Sequence, residues 1–358
     1  MSKDRVNRLQ SLRPRASGIY AIIVLVAFGS CIKELPIQQT DTALLYVNGA
    51  VLVDSSMQEL SLGITDGIRV RGQSVTSAIV EVRDLTSGEV YDYRHTGEGR
   101  YEAFYRAAFD HAYQLRIEIP ETGVFLSRPD SLALANFSLS AEAGLQRRIN
   151  RDGEAVARNF VTADLSIANR AGLVSAGILT ARPFVVWSYE DQVCGPFDIP
   201  QTCYLVERPR FTPFAAFDLS TLSADGDTAV LSIGAEPLDY RWAGDAFLAA
   251  DTRRYSPAAT AYFTAISQAL NPTGSPLDER PLPAVGNVRA EDGGRGMLGF
   301  FGVAEARVLY ASSARSRQLR GRRTPGPCAG ARDVPASIDC CFCNVTPGAL
   351  TRRPSYLP

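Results

Sequence analysis

From Ala43 to about Pro120 apolar and polar residues alternate with a period of two. Ala78, Val80 and Val82 interleave with Ile79, Glu81 and Arg83, and Tyr113, Leu115, Ile117 and Ile119 interleave with Gln114, Arg116 and Glu118. Successive side chains of a strand point to opposite faces, so this is the signature of strands with one buried face. Ser87-Gly88, Gly97-Glu98-Gly99 and Phe109-Asp110 punctuate the runs at about ten-residue intervals, the rhythm of an antiparallel sandwich. Roughly seven strands are predicted here, and an immunoglobulin-like β-sandwich over 43–125 is the expected arrangement.

Beyond it, 126–358 is expected to form a larger β-rich domain, sandwich or barrel-like, with one helix. Ser127 to Asn159 shows no clear period and reads as a linker or polar excursion. Phe160–Ile167, Phe184–Tyr189, Phe211–Leu219 and Thr228–Ile233 are strand-like, rich in aromatic and β-branched residues. A helix is predicted over 257–270: Ser256-Pro257 supplies a cap and a first-turn proline, and Asn271-Pro272 stops it. Tyr262, Phe263, Ile266 and Leu270 would share its apolar face. After a Pro-rich connection to Pro283, Met297–Tyr310 reads as one or two strands. The Arg-, Gly- and Pro-rich tail from Ser312 to Arg332 reads as an extended loop. The chain shows no internal repeat.

The first thirty residues have a different pattern. Lys3, Arg5, Arg8, Arg13 and Arg15 face the single acid Asp4, and an apolar run from Ile19 to Phe28 follows. This is the layout of a signal peptide over 1–30, and the run is shorter than the roughly 20 residues a spanning helix needs. It ends in Phe28-Gly29-Ser30-Cys31, which resembles a bacterial lipobox with Phe28 in place of the usual Leu. Cys31 is therefore the expected lipidation site, residues 31–42 a tether, and the lipid the membrane anchor. Two or three acyl chains at ~0.8 kcal/mol per buried methylene hold a protein durably. Ile32 stands where an inner-membrane retention signal would place Asp, which points to the outer membrane, with the periplasmic or surface face left open.

Loss of residues 1–30 removes five cations and one anion and takes the formal charge from −1 to −5. A mildly acidic chain is a poor nucleic-acid partner. Lys33 is the only lysine outside that segment, which excludes a Schiff-base lysine from the folded part.

Six cysteines remain: Cys194, Cys203, Cys328, Cys340, Cys341 and Cys343. An even number in an exported chain reads as disulfides rather than zinc. Cys194 and Cys203 enclose a short loop with Gly195, Pro196 and Pro200, and are expected to pair. The pairing of the other four cannot be read.

Histidine is nearly absent. His95 and His111 alone, both expected in turn or surface positions, leave no His-based triad or HExxH site, and no GxSxG elbow occurs. Gly294-Arg295-Gly296-Met297-Leu298-Gly299 spells a dinucleotide fingerprint but precedes a strand-like run, so it reads as a turn. Asp225-Gly226-Asp227 and Glu291-Asp292-Gly293-Gly294 read as turns rather than calcium loops. The arginines at 315, 317, 320, 322 and 323 read as a solvated loop, with lipopolysaccharide phosphate as a lesser alternative. No cofactor, metal or catalytic residue is expected. A two-carboxylate hydrolase is the enzymatic alternative, since it needs only a pair of acids.

Several segments together resemble the lipoprotein family catalogued as domain of unknown function 4249, from Bacteroidota. The lipobox with Leu35-Pro36, then Leu44-Leu45-Tyr46-Val47-Asn48-Gly49 and Ile64-Thr65-Asp66, look like its opening strands. Val75–Asp84 with Gly99-Arg100-Tyr101 follows its next block. Pro276-Leu277-Asp278-Glu279, Gly286-Asn287-Val288 and Leu298-Gly299-Phe300-Phe301-Gly302 resemble its later one, making Asn287, Gly299, Phe301 and Gly302 motif residues. Cys340 through Pro354-Ser355-Tyr356 resembles its terminal signature, with Cys341 added and Tyr356-Leu357 replacing Phe-Trp. The resemblance implies no catalytic residues. It does imply an accessory or binding role beside a TonB-dependent outer-membrane receptor, with an envelope scaffold or adhesin as the other non-enzymatic reading.

Overall fold

The computed structural model describes residues 44–53, 55–66, 69–149, 157–169, 177–190, 202–208, 214–222, 224–238, 240–243, 246–270, 284–311, 343 and 348–354. Among them the fold is mainly β, with one α-helix. The expected signal peptide over 1–30, Cys31, the expected tether and the Arg-rich tail lie outside the described residues.

The first strands are β1 (Leu44–Val53), β2 (Met57–Asp66), β3 (Arg69–Ser74), β4 (Ile79–Asp84), β5 (Val90–Gly97), β6 (Arg100–Phe104) and β7 (Ala112–Ile119). Two short strands follow, β8 (Gly123–Ser127) and β9 (Asp130–Ser131). The alternation in the sequence is what buries them. Val80 and Val82 point inward while Ile79 stays 54% exposed, and Tyr113, Leu115, Ile117 and Ile119 form the inner face of β7. β5 changes partners along its length: Val90–Tyr93 pair with β4, and Arg94–Gly97 with β6. It thus joins β8-β7-β4 on one side to β6-β2-β1 on the other, with the core between them.

The second half supplies β10 (Phe137–Ile149), β11 (Ala157–Asn169), β12 (Ile178–Glu190), β13 (Thr202–Glu207), β14 (Ala215–Asp218), β15 (Thr228–Pro237) and β16 (Ala246–Tyr255). Helix α1 (Thr260–Leu270) follows, then β17 (Val288–Ala290), β18 (Phe301–Ala311) and β19 (Ala349–Leu350). β10, β11 and β15 form an antiparallel three-stranded sheet. Its inner face, Val161, Ala163, Leu165, Ile167 and Ile233, packs on Leu179, Ala181, Val185, Leu248 and Ala250 to form a second core. The segment expected to be a linker is therefore mostly a long strand, because Phe137, Leu139, Ala141 and Ala143 supply an alternating apolar face to that core. β16 was not foreseen at all.

Two strands near the end of the chain return to the first core. β17 pairs with β8, and Val288, Met297, Phe301 and Val303 pack among the N-terminal strands. β18 lies parallel to β1 on one edge and antiparallel to β16 on the other. A boundary at residue 125 is thus crossed by residues 288–303, and Ala43–Pro358 clusters as one compact unit.

Buried polar groups fasten this joint. Ser256 Oγ donates to Asp130 Oδ1 at 2.5 Å, and Val303 N–H donates to Asp130 Oδ2 at 2.9 Å. Ser256 was expected to cap the helix; its hydroxyl is committed to Asp130 instead, and makes no side-chain cap. The proline turn it precedes is a 3-10 turn, Pro257–Ala259, leading into α1. Arg254, 1% exposed on its side chain, pairs with Glu305 at 3.0 Å and donates to the Ala133 carbonyl.

Two outcomes follow. Ile117→Ala should lower unfolding free energy by about 2–5 kcal/mol and Ile79→Ala by no more than about 0.5, read by denaturant melts. Burial raises the Asp130 pKa above the ordinary carboxylate value, against the opposing pull of its hydrogen bonds to Ser256, Val303 and Ser131. The folded state then holds this proton where the unfolded chain has lost it. As pH climbs from the ordinary value through the raised one, this group should subtract stability. Asp130→Asn, which can still accept from Val303 and donate to Ser256, should flatten that part of the melting-temperature profile.

Candidate functional site

β12, β16 and β18 have two faces. Leu179, Ala181, Leu248 and Ala250 point to the second core, so the alternating partners Thr180, Arg182 and Phe184 of β12 and Ala249, Asp251, Arg253 and Tyr255 of β16 point the other way. Cross-strand register sets Arg182 opposite Asp251 and Thr180 opposite Arg253.

Helix α1 covers only part of that second face. Phe263 is its buried residue, packed with Ala50, Ile178, Tyr255, Ala259, Phe300 and Ala304. Tyr262 is half-buried, whereas Leu270, expected on the apolar face, is 59% exposed because the helix runs past the core before it ends. The ring of Phe263 lies 4.5 Å from that of Tyr255 and 5.9 Å from that of Phe300, and Tyr262 stacks on Phe300 at 5.5 Å.

Past the helix the face opens into a cleft of about 880 Å³. Its floor is Tyr46–Gly49 of β1, Arg182–Phe184 of β12 and Asp251, Arg253 and Tyr255 of β16. α1 and Leu298–Phe300 wall one part, and Val206, Arg208 and Phe214 line another. The volume sits toward the upper end of the ~300–1,000 Å³ usual for small-molecule sites.

The lining combines ring faces with guanidinium groups. Arg182 lies over the Phe214 ring at 5.9 Å, a cation–π distance. Arg253 pairs with Asp251 at 3.4 Å, with both side chains about 30% exposed (29% and 32%). Burial works against the Arg253 charge, but Tyr255 and Asp251 outweigh it and hold its pKa above the ordinary value. Its Nε is buried with no hydrogen-bond partner. Burial raises the Tyr262 phenol, so it stays a neutral donor. Asp251 is the one carboxylate of the lining among the described residues, where two-acid hydrolysis needs a facing pair about 5–10 Å apart.

Of the motif residues Gly299 lines the cleft, and Asn287 pins the strand that follows it. Asn287 Nδ2 donates to the Phe301 carbonyl at 2.6 Å and its Oδ1 accepts the Phe301 N–H at 2.9 Å, which pins the start of β18. Gly299 has φ +98°, and a Cβ there would meet the Val47 carbonyl oxygen at 1.9 Å. Only glycine lets this wall press against β1, where Val47 N–H donates to the Leu298 carbonyl. A Cβ on Gly302 would meet Asp130 Oδ2 at 2.5 Å. Phe301 is buried in the first core, and Pro354 is buried near β19. The expected Gly294–Gly299 turn leads into β18, with no helix after it.

Cys203 is bonded to Cys343, not to Cys194, with Cα atoms 5.4 Å apart. The expected local pair fails because β13 faces β19, and Tyr204 and Leu205 pair with Leu350 and Ala349, which brings the C-terminal segment alongside Cys203. Cys194, Cys328, Cys340 and Cys341 lie outside the described residues. His95 is exposed on β5 against Tyr101; His111 sits 2.7 Å from the buried Asp84 carboxylate. Burial pushes the Asp84 pKa up, but His111 and the backbone N–H groups of Ser87 and Thr86 outweigh it and leave it below the ordinary value. Asp225–Asp227 and Glu291–Gly294 are turns, closed by Asp227 accepting from Ala224 N–H and Asp292 from Gly294 N–H.

None of Arg182, Arg208, Asp251, Arg253 or Tyr262 was singled out in the sequence as a binding residue. The available signal was an arginine or aspartate on alternate positions of otherwise apolar strands.

No family model and no curated protein matches the chain. Among solved structures it is similar to a protein from Bacteroides uniformis ATCC 8492 proposed to bind carbohydrate. The two share 10% identity, over 75% of this chain and 98% of that one, with a TM-score of 0.16. A likeness of that size carries no argument about function.

Phe263 ties the helix to the sheet and Leu270 does not. Phe263→Ala should cost about 3–5 kcal/mol and Leu270→Ala no more than about 0.5 in equilibrium unfolding.

Proposed function

We propose that this chain is a non-enzymatic binding lipoprotein of the outer membrane, tethered through acylated Cys31 and working beside a TonB-dependent receptor. The observation that carries the binding half is the cleft. Its floor belongs to inner strands, and its lining offers rings and guanidinium groups that hold a ligand. A floor of strands bonded on both edges keeps those side chains in place before the ligand arrives, so little ordering entropy remains to be lost on binding. Asp251, the one lining carboxylate among the described residues, is already tied to Arg253, which favours holding over hydrolysis. The anchoring half rests on the leader and on Phe28-Gly29-Ser30-Cys31, and the receptor on the family resemblance. No helix among the described residues is long and apolar enough to cross a membrane.

Labelled palmitate should enter the wild-type protein and not Cys31→Ser. The wild-type protein, solubilised from native membranes in mild detergent, should carry a β-barrel receptor with it. Absence of label removes the anchor; a labelled protein that co-purifies with no barrel removes the receptor.

A further inference from the structure

The cleft also restricts the chemistry of what it holds, and this inference rests on the binding reading above. Among the described residues Arg182, Arg208 and Arg253 line it against the one carboxylate of Asp251. Asp251 is engaged by Arg253, and Arg253 still has a buried Nε without a partner. Arg182 touches a ring and is otherwise exposed to the opening. Among the described lining residues the unbalanced charge is positive, and a guanidinium is best matched by a planar or tetrahedral oxyanion that accepts two of its N–H groups.

The rest of the lining decides what carries that anion. Tyr262, Phe184 and Phe214 are half-buried and bring ring surface to the cleft, with Phe300 buried behind Tyr262 and Phe214 6.0 Å from Phe263. Such faces suit a ligand that has flat apolar C–H surfaces and polar groups around its rim, and Asn48 and Tyr46 add donors and acceptors for that rim. An extended peptide binds a β-protein by adding to a free strand edge. The floor has none to offer: β1 is bonded to β2 and β18, β16 to β12 and β18, and β12 to β16, β13 and β14. Recognition here is by side chains alone.

We propose that the cleft binds an acidic saccharide, a short sugar chain bearing carboxylate or sulfate groups, with its sugar faces on the rings and its anions on Arg182 and Arg253. Carboxylate and sulfate share this chemistry, and the test separates them.

Isothermal titration of the full acylated chain in detergent uses tetragalacturonate, a sulfated galactan tetramer, neutral galactotetraose and tetraglutamate. At least one acidic sugar should bind about tenfold or more tighter than the neutral one, the size of one charge-assisted hydrogen bond. The tighter of the two acidic arms identifies the anion. Its affinity should fall by about tenfold in Arg182→Ala and again in Arg253→Ala. In the wild-type protein it should weaken with added salt while neutral-sugar binding does not, a readout independent of any variant's folding. Neutral sugar binding as tightly as acidic, tetraglutamate matching both, Arg182→Ala leaving affinity unchanged in a chain that melts normally, or silence across the panel would each overturn the proposal. Neutral-sugar binding would do so while leaving the binding reading standing, and palmitate labelling and receptor co-purification are independent of all four.

Discussion

β18 lies between β1 and β16, and the buried Asp130, which accepts its Val303 N–H, fastens it to the end of β16. A carboxylate removed from water is costly unless its lone pairs are used. Here one oxygen accepts from the hydroxyl of Ser256, just after β16, and the other from the backbone of β18, so the same side chain reads the position of both strands. Gly302 is the residue that lets Asp130 come close enough. Arg254 and Glu305 repeat the device one step along the same pair of strands, and the Arg254 guanidinium also reaches Ala133, just beyond β9. Breaking a buried pair of this kind by removing one partner leaves a charge without compensation, typically a loss of about 3–5 kcal/mol. The ladders of β18 with β1 and with β16 already join the two cores, and the polar joint adds side-chain bonds to the same placement.

The cost falls on folding speed. The parallel pairing of Gly49 with Phe301 closes only after nearly all the chain between them has been made, and pairings of such separation are slow to nucleate. The first core has much of its own alternating strand set and can collapse locally, but Val288, Met297, Phe301 and Val303 reach it only when the C-terminal segment returns. The Cys203–Cys343 bond, with a sequence separation of 140, adds a second long closure that constrains the unfolded chain strongly once formed.

Strands were legible where one face meets solvent and the other a core, because only there does the period of two appear in residue type. β4 and β7 are of this kind. β10 has the same alternation, Phe137-Ser-Leu-Ser-Ala-Glu-Ala-Gly-Leu145, but small residues weaken the contrast and Arg147-Arg148 ends it in a polar run. β16 reads Ala-Phe-Leu-Ala-Ala-Asp-Thr-Arg-Arg-Tyr, and most of it is buried on both sides, so it has no period to find. Turn rhythm fixed the number of N-terminal strands, seven from β1 to β7, but rhythm says nothing about order: that β5 divides its length between two partners, or that β18 intervenes next to β1, depends on contacts far away in sequence. The immunoglobulin-like detail rested on rhythm alone. Cysteine spacing failed for the same reason, since the short loop from Cys194 to Cys203 carried no information about β19.

The cleft was illegible for a different reason, which also bears on how it works. Arg182, Asp251 and Arg253 occupy outward positions of strands whose inward neighbours Ala181, Ala250 and Leu248 make the second core. Their identities are free of the packing that fixes the sheet, so no periodicity demands them and no fold rule predicts them. Phe263, Phe300 and Gly299 are the reverse: they wall the cleft and are at the same time the contacts by which α1 and the turn before β18 are seated. The charged groups of the floor are therefore separate from the residues that seat the walls, while Tyr255 and Tyr262 belong to both the lining and the seating. If the cleft binds as proposed, changing the charged floor alters what is recognised without loosening the frame, whereas changing the walls alters the frame itself, so its ligand can shift by substitutions at two or three outward positions.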